Sequence, residues 1–233
     1  MNTFHKAGIS LPPFAFWTVE DWKDKGSDVA EIRNARLGWD VTDFGSGEFE
    51  KIGRTLFTLR NGSTAHDGPH KPYAEKLILD PEGQRAPAHF HRSKIEDIIN
   101  RSGGNVLVEL TKATPHDTRS DESFTVQVDG TRVVATPGYI VRLKPGQSLC
   151  IPPRTIHQFW GEEGTGMTVS SEVSSLCDDT YDNFFLTPSV RYPELDEDEP
   201  KQFYLCHEYP AAAREHDPQR RPLSNDGRAV RAE

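Results

Sequence analysis

Two histidines near the middle of the chain, His89 and His91, are separated by a single residue. Side chains alternate across a β-strand, so both imidazoles would point to the same face and could bind one ion. Glu96 has the wrong parity to join them on a straight strand. A bend at Arg92 and Ser93, which are polar, would bring this carboxylate to the same side. The spacing therefore predicts a metal site with a bend between the second histidine and the glutamate.

A further imidazole is expected from His157, which follows a double proline and begins another short strand. Three imidazoles and one carboxylate, without a thiolate, suit Mn, Fe, Co, Ni or Zn, and an octahedral sphere would leave two positions open. The same bend would bring Lys94, two residues before Glu96, close to the ion. A histidine pair alone is a weak signal, because histidines are common in exposed turns. The interpretation therefore depends on the additional residues.

Short alternating runs of apolar and polar residues must position these side chains. From about residue 49 they include AEKLILD, GNVLVELT and SFTVQV, and Gly, Pro, Asn and Asp separate them. Many short strands at this spacing predict an all-β sandwich or barrel. Asp129 and Gly130 lie between two such runs and predict a two-residue hairpin turn. Before this region, Thr18 and Asp21 indicate the capping box of a short helix.

The composition excludes several classes of partner. The chain has 233 residues, with 27 basic and 36 acidic side chains and a formal net charge of −9, which would repel nucleic acid. No apolar run is long enough to span a membrane, and the first residues lack the apolar stretch of a secretory signal. The three cysteines form no CxxC pair and fit a reducing compartment. We therefore expect a cytoplasmic protein that acts on a small molecule.

The region from Gly83 to Gly103 matches a known signature. The two glycines, two histidines and glutamate have the spacing G-x5-HxH-x4-E-x6-G, which is the first signature of the cupin superfamily. The second signature, G-x5-PxG-x2-H-x3-N, is met by Gly146, Pro152 and His157. The resemblance implies a metal-binding cupin, whose fold is a double-stranded β-barrel (jelly roll).

The second signature also has two departures. Arg154 stands where glycine is usual, and Gly161 stands where asparagine is usual. Neither departure removes a ligand. They leave open only the conformation of the local turn and of the end of the strand.

Longer segments resemble the D-lyxose ketol-isomerase family. They include LPPFAFW, LGWDVTDFGSGEFEKIGRTLFTLRNG, HFHRSKIEDIINRSGGN and SEVSSLCDDTYDNFF, in the family's order, and the resemblance runs from about residue 10 to 205. It implies conversion of D-lyxose to D-xylulose, with D-mannose to D-fructose as a related activity. The reaction would pass through a metal-chelated cis-enediol. Manganese is the first choice of metal for this chemistry.

Isomerisation needs a base, and Glu172 is the preferred candidate. It shares one face of its strand with Thr168 and Ser170, so the carboxylate faces either the barrel lumen or solvent. The family resemblance favours the lumen. Lys94 and Lys76 are the cationic candidates, to shuttle protons or to donate hydrogen bonds to sugar oxygens.

Other side chains are candidates for substrate binding. Asp182, Asn183 and Arg191 either bind sugar hydroxyls or order a loop, because Asp and Asn also favour turns. Phe159 shares the parity of His157 and is expected to line the pocket.

We therefore predict an all-β cupin barrel over residues 49–205, with a helical and extended N-terminal decoration over 1–48. A polar, partly flexible C-terminal extension is expected over 206–233. The expected assembly is a homodimer. Two other readings remain open at this point: an Fe-dependent cupin oxygenase, and a non-enzymatic cupin that binds metal or sugar.

Overall fold

The structure is a computed structural model that describes residues 1–62, 71–194 and 198–213. Short segments that alternate apolar and polar residues form its strands. The strands within these ranges are β1 (Gly38–Thr42), β2 (Arg54–Arg60), β3 (Tyr73–Asp80), β4 (His89–Phe90), β5 (Glu96–Gly103), β6 (Val106–Lys112), β7 (Phe124–Val128), β8 (Thr131–Ala135), β9 (Tyr139–Leu143), β10 (Ser148–Ile151), β11 (Thr155–Gly161), β12 (Thr168–Ser175) and β13 (Phe184–Phe185).

These strands form two antiparallel sheets. The larger has the order β1-β2-β3-β12-β5-β10-β7-β8, and the smaller has the order β13-β4-β11-β6-β9. One apolar core takes residues from both, including Ile98 of the larger sheet and Leu110 of the smaller, both fully buried. Because every second side chain of a strand points inward, strands of both sheets contribute apolar residues to this core. The predicted all-β fold, a cupin double-stranded barrel, is confirmed.

The N-terminal segment covers the outer face of the larger sheet. Phe4 and Ala15 pack against Phe57, Leu77 and Val169, whose side chains point away from the barrel interior. The helices of the segment are α1 (Asn2–Lys6), α2 (Val19–Trp22) and α3 (Ala30–Asn34), with 3₁₀ turns at Pro13–Phe16 and Ser27–Val29. In the described ranges, none of the helices combines the length and the apolar character needed to cross a bilayer.

Two local predictions from the sequence are confirmed. Thr18 and Asp21 form the capping box of α2, each side chain bonding the backbone amide of the other. Asp129 and Gly130 connect β7 to β8 with φ angles of 50° and 76°. Positive φ at both positions is what a type I′ hairpin turn requires.

The segment after the barrel packs against the N-terminal segment. Tyr209 stacks on Trp22 with ring centroids 4.1 Å apart, and its hydroxyl donates to the carbonyl of Leu37 at 2.7 Å. Residues 214–233 of the predicted C-terminal extension lie outside the described residues. The predicted boundaries at 48/49 and 205/206 stay predictions.

Candidate metal and catalytic site

Three imidazoles meet inside the barrel. His89 on β4 and His157 on β11 are paired across the smaller sheet, and His91 lies just beyond the end of β4. One ring nitrogen from each of the three histidines lies within 4.8 Å of the others. The structure thus brings together the three histidines that the sequence singled out.

Backbone carbonyls fix the protonation of all three rings. His89 Nδ1 lies 2.9 Å from the carbonyl of Pro87, His157 Nδ1 lies 2.9 Å from that of Thr155, and His91 Nδ1 contacts that of Asp182. A carbonyl oxygen can only accept, so each Nδ1 carries the proton. In the neutral imidazole each Nε2 is then left with a lone pair, as a metal ligand requires.

The predicted bend after His91 is present, and it turns Glu96 towards the imidazoles. Glu96 Oε1 lies 2.9 Å from His157 Nε2 and 3.6 Å from His91 Nε2. Arg154 stabilises the bend, because its backbone amide donates a hydrogen bond to the carbonyl of His91 at 2.6 Å. Arg154 has a φ of 61°, so it adopts the left-handed turn for which glycine is usual.

The other departure from the cupin signature also has a steric reason. A Cβ atom at Gly161 would lie 2.6 Å from the carbonyl oxygen of Asp80 and 2.7 Å from that of Pro81. Only glycine fits such a close approach of two backbones. Both departures therefore leave the ligand geometry intact.

The donor set fits a divalent transition metal. His91 Nε2 and Glu96 Oε1 are buried without a hydrogen-bond partner among the described residues, which is costly unless an ion satisfies them. His157 Nε2 and Glu96 Oε1 lie 2.9 Å apart. Two adjacent ligands about 2.1 Å from one octahedral ion are separated by about 3 Å. These residues could therefore hold such an ion.

Lys94 connects the ligand carboxylate to the candidate base. Its ammonium lies 2.6 Å from Glu96 Oε2 and 2.9 Å from Glu172 Oε1. Lys76 is paired with Glu172 across β3 and β12, and its ammonium lies 3.5 Å from the same carboxylate oxygen. All four side chains are buried. The structure places Glu172 in the lumen, not on the solvent face.

The charges of this group support one another. Burial alone would raise the pKa of Glu172, but Lys76 and Lys94 hold it below its ordinary value. Burial would lower the pKa of Lys94, but Glu172 and Glu96 raise it instead. Glu172 is therefore ionised and Lys94 is a hydrogen-bond donor, which fits the second of the two roles that the sequence left open for Lys94.

The ion pairs continue away from the histidines. Lys76 lies 3.4 Å from Asp179 Oδ2, which lies 2.8 Å from the Arg191 guanidinium. Arg191 in turn lies 2.6 Å from Asp40. Seven side chains of alternating charge, from Glu96 to Asp40, thus form one continuous row, in which Asp179 and Arg191 are partly exposed and the other five are buried. Arg191, a predicted sugar ligand, has two carboxylate partners here.

A cavity opens beside the histidines. Its wall contains polar side chains that bond sugar hydroxyls well and apolar surfaces that pack against carbon. Phe159 belongs to this wall, as its parity suggested. The lining residues are Phe44, Arg54, Leu56, Lys76, Ile78, Ala86, His89, His91, Lys94, Phe159, Glu172, Asp179, Asn183, Phe185 and Arg191.

Asp182 lies behind the bend and is absent from the residues that line this cavity. Its carboxylate accepts hydrogen bonds from the backbone amides of Arg92, Ser93 and Lys94. Of the two roles that the sequence left open, ordering a loop and binding sugar, the contacts favour the first.

Sequence reasoning missed two charged residues of the cavity wall. Arg54 lies on β2 with the same parity as the inward Leu56, forms an ion pair with Asp80 and stacks on Phe159 at 4.1 Å. A charged side chain at an inward position was a usable signal. Asp179 had none, because its contact with Lys76 joins residues 103 positions apart.

A second group of potential ligands lies at the far end of the row. Asp40, Cys206 and His207 have ligand atoms within 4.8 Å of one another. The positive charge of Arg191, 2.6 Å from Asp40, opposes a cation there. Burial raises the pKa of the Cys206 thiol, which also disfavours the thiolate that a metal needs.

Comparison with known proteins gives a consistent result. A family model described as D-lyxose isomerase matches residues 1–209. The chain is 46% identical to a D-lyxose/D-mannose isomerase of Escherichia coli O157:H7 over 207 residues, which are 88% of this chain and 91% of that protein. It is 45% identical to a D-lyxose/D-mannose isomerase of Serratia proteamaculans, with the same coverage.

Solved structures share the fold. The L-ribose isomerase of Cellulomonas parahominis without ligand gives a TM-score of 0.54 at 16% identity, over 82% of this chain and 89% of that chain. The L-ribose isomerase of Acinetobacter sp. DL28 with L-ribose gives 0.51 at 14% identity, over 80% and 87%. At this identity the likeness concerns the fold alone.

Proposed function

Because the chain belongs to the D-lyxose isomerase family, we propose that it converts D-lyxose to D-xylulose with one divalent metal ion. It is a sugar isomerase that interconverts an aldose and a ketose, and D-mannose to D-fructose is the proposed related activity. The observation that carries the proposal is the position of Glu172, which is separated from the ligand carboxylate of Glu96 by a single ammonium group.

The proposed ligands are His89, His91, Glu96 and His157. When bound, a divalent ion would polarise the sugar carbonyl and stabilise the negative charge that develops on its oxygen. Manganese is the proposed ion, with Co, Fe, Ni and Zn as the alternatives that the same ligands allow. The free Nε2 lone pairs and the unpartnered Oε1 of Glu96 support this assignment.

Glu172 is the proposed base. It would take the proton from C2 of D-lyxose and return it to C1 on the same face, through a cis-enediol. The proton on the C2 hydroxyl would leave as the C1 carbonyl oxygen gains one, so the sugar keeps its composition. The pair of lysines beside Glu172 supports this role, because they keep its carboxylate ionised before the sugar binds.

Lys94 and Lys76 would act as fixed donors to sugar oxygens. Their ammonium groups line the cavity beside Glu172, and donors held in place stabilise negative charge as it develops on oxygen. The sugar chain would extend from the histidines towards Asp179 and Arg191. The proposed orientation also places Phe159 against the carbon skeleton.

Activity on a panel of sugars tests the proposal. Metal-supplied protein is incubated with D-lyxose, D-mannose and the corresponding phosphates, and ketose is measured. We expect D-xylulose from D-lyxose and a smaller rate with D-mannose. No ketose from D-lyxose would contradict the proposal.

The same incubations separate the two readings that the sequence left open. An Fe-dependent oxygenase would consume oxygen, and a non-enzymatic cupin would bind sugar without forming product. The relatives from Escherichia coli O157:H7 and Serratia proteamaculans are named as isomerases, which supports neither an oxygenase nor a non-enzymatic cupin. We expect no oxygen uptake during ketose formation.

We further propose that the protein is a homodimer and acts in the cytoplasm. Light scattering would then give twice the mass of the chain, and a monomer mass at assay concentration would contradict the dimer.

A further inference from the structure

We propose that Asp182 is a positioning residue that holds both His91 and Lys94 in their working places. The inference deepens the proposed function and rests on it, because it concerns the same metal and the same lysine. It assigns no contact with the sugar to Asp182. Instead, Asp182 acts through the bend between β4 and β5.

The carboxylate of Asp182 is surrounded by the backbone of this bend. Oδ1 accepts from the amide of Arg92 at 2.7 Å, and Oδ2 accepts from the amides of Ser93 at 3.2 Å and Lys94 at 2.9 Å. Three successive amides that point at one carboxylate form a concave anion site within the chain. Burial alone would raise the pKa of Asp182, but the hydrogen bonds from these amides lower it. This direction is expected when donors stabilise the ionised form of a carboxylate.

The backbone of Asp182 also holds His91, one of the proposed metal ligands. Its carbonyl accepts from His91 Nδ1, which fixes the ring so that Nε2 faces the other imidazoles. Asp182 therefore contacts His91 through its main-chain carbonyl. It contacts the three residues that follow His91 in the chain through its carboxylate. Asp182 lies in the segment after β12, 91 positions after His91 in the chain. The bend therefore depends on a distant segment for these hydrogen bonds.

The position of Lys94 depends on this bend. Its ammonium must reach Glu96 and Glu172 at the same time. Its backbone amide is one of the three that donate hydrogen bonds to the Asp182 carboxylate. Loss of the carboxylate would free the bend and move both His91 and Lys94. The rest of the cavity wall would remain, because Asp182 is not among the residues that line it.

The test compares Asp182→Ala and Asp182→Asn with a matched control, Asp129→Asn. Asp129 also accepts a backbone amide through its carboxylate, from Ser148 at 2.7 Å, but it lies in the β7–β8 hairpin, away from the site. Asparagine tolerates its positive φ. Affinity for Mn²⁺ is measured by competition with a chromogenic chelator, and kcat and KM for D-lyxose are measured at saturating Mn²⁺.

We expect Asp182→Ala to weaken Mn²⁺ binding by roughly 10-fold, the low end of the effect of removing a partner behind a metal ligand, because the main-chain carbonyl that accepts from His91 Nδ1 is retained while the bend is freed. At saturating Mn²⁺ its kcat falls while KM changes little. Asp182→Asn keeps one acceptor oxygen and gives a smaller change in the same direction. If the alanine variant does not fold, the asparagine variant tests the positioning role of Asp182. Asp129→Asn matches the wild type in both measurements.

Two results would overturn the inference, and they differ from failure of the proposed function. Mn²⁺ affinity and kcat of Asp182→Ala within twofold of Asp129→Asn would show that the bend needs no anchor. A rise in KM alone would make Asp182 a sugar ligand instead. A wild-type protein that binds Mn²⁺ but forms no ketose would refute the proposed function, and the metal affinities of the variants would still test Asp182.

Discussion

Lys94 and Glu172 are 2.9 Å apart inside the barrel, although 78 residues separate them in the chain. The same ammonium lies 2.6 Å from Glu96, so one lysine bridges a proposed metal ligand and the proposed base. A buried cation between two carboxylates keeps both ionised at neutral pH. The position of this lysine therefore couples the charges of the two carboxylates.

Removal of the base should stop turnover without loss of the metal. We expect Glu172→Gln to lower kcat by about 10²-fold to 10⁴-fold, the usual contribution of a general base. Glu75→Gln is the matched control, because Glu75 lies on the paired strand β3 but forms an ion pair with Arg60 at the surface. Equal kcat in both variants, measured by D-xylulose formation at saturating Mn²⁺, would exclude Glu172 as the base.

Removal of the bridge should change the pH dependence of the reaction. In Lys94→Met the carboxylates of Glu172 and Glu96 face each other without the cation, so the pKa of Glu172 should rise. Less of the base is then ionised at a given pH, and the acid limb of kcat/KM should move to higher pH.

The control for this variant is Lys112→Met, which removes an exposed lysine of β6. A Lys94→Met profile with the same acid limb as this control would contradict the proposed coupling. A loss of about 3–5 kcal/mol in the free energy of unfolding is expected for Lys94→Met alone, because it leaves buried charge uncompensated.

The metal-free protein should be less stable in acid. Burial and the nearby charge of Lys94 lower the pKa of His91 from 6.5 to about 4. Between these values the unfolded chain binds a proton that the folded chain does not, so the free energy of unfolding falls as the pH drops from about 6.5 to about 4. Above 6.5 this contribution to stability is complete.

Denaturant titrations of the stripped protein across this pH range measure the effect. His91→Gln should show a shallower dependence on pH than the wild type. His116→Gln, which changes an exposed histidine, should show the wild-type slope. Identical slopes for all three proteins would refute the account of His91.

Asp179 should matter although no sequence pattern marks it. Its carboxylate pairs with Lys76 and Arg191, so Asp179→Asn leaves both cations with weaker compensation, and Lys76 is buried. We expect a loss of about 3 kcal/mol in stability and a lower kcat/KM for D-lyxose. Asp178→Asn is the matched control on the preceding residue, whose carboxylate accepts from the backbone amides of Thr180 and Tyr181 in a turn. Equal stability of the two variants would contradict a supporting role for Asp179.

The sequence predicted the parts of the site that follow from local spacing. Strand parity placed His89 and His91 on one face, and the parity of Glu96 required the bend that the structure contains. The hairpin at Asp129 and Gly130 followed from turn chemistry in the same way. These features depend on neighbouring residues, which the sequence displays directly.

Contacts between distant segments could not be read in this way. From the sequence, Asp182 could either bind sugar hydroxyls or order a loop, and only its contacts with the bend 90 positions earlier favour the second role. The proton affinity of Lys94 likewise depends on two carboxylates whose distances only the fold sets. Long-range pairing, not residue type, decides these roles.

Metal titration of the stripped enzyme tests the central claim most directly. Wild-type protein treated with a chelator is assayed with D-lyxose while Mn²⁺ is added in substoichiometric steps, beside a His157→Gln variant. We predict no D-xylulose before addition, a rate that rises linearly to one Mn²⁺ per chain, and no recovery in the variant. Full turnover by the stripped wild-type protein, or equal recovery in His157→Gln, would contradict the account.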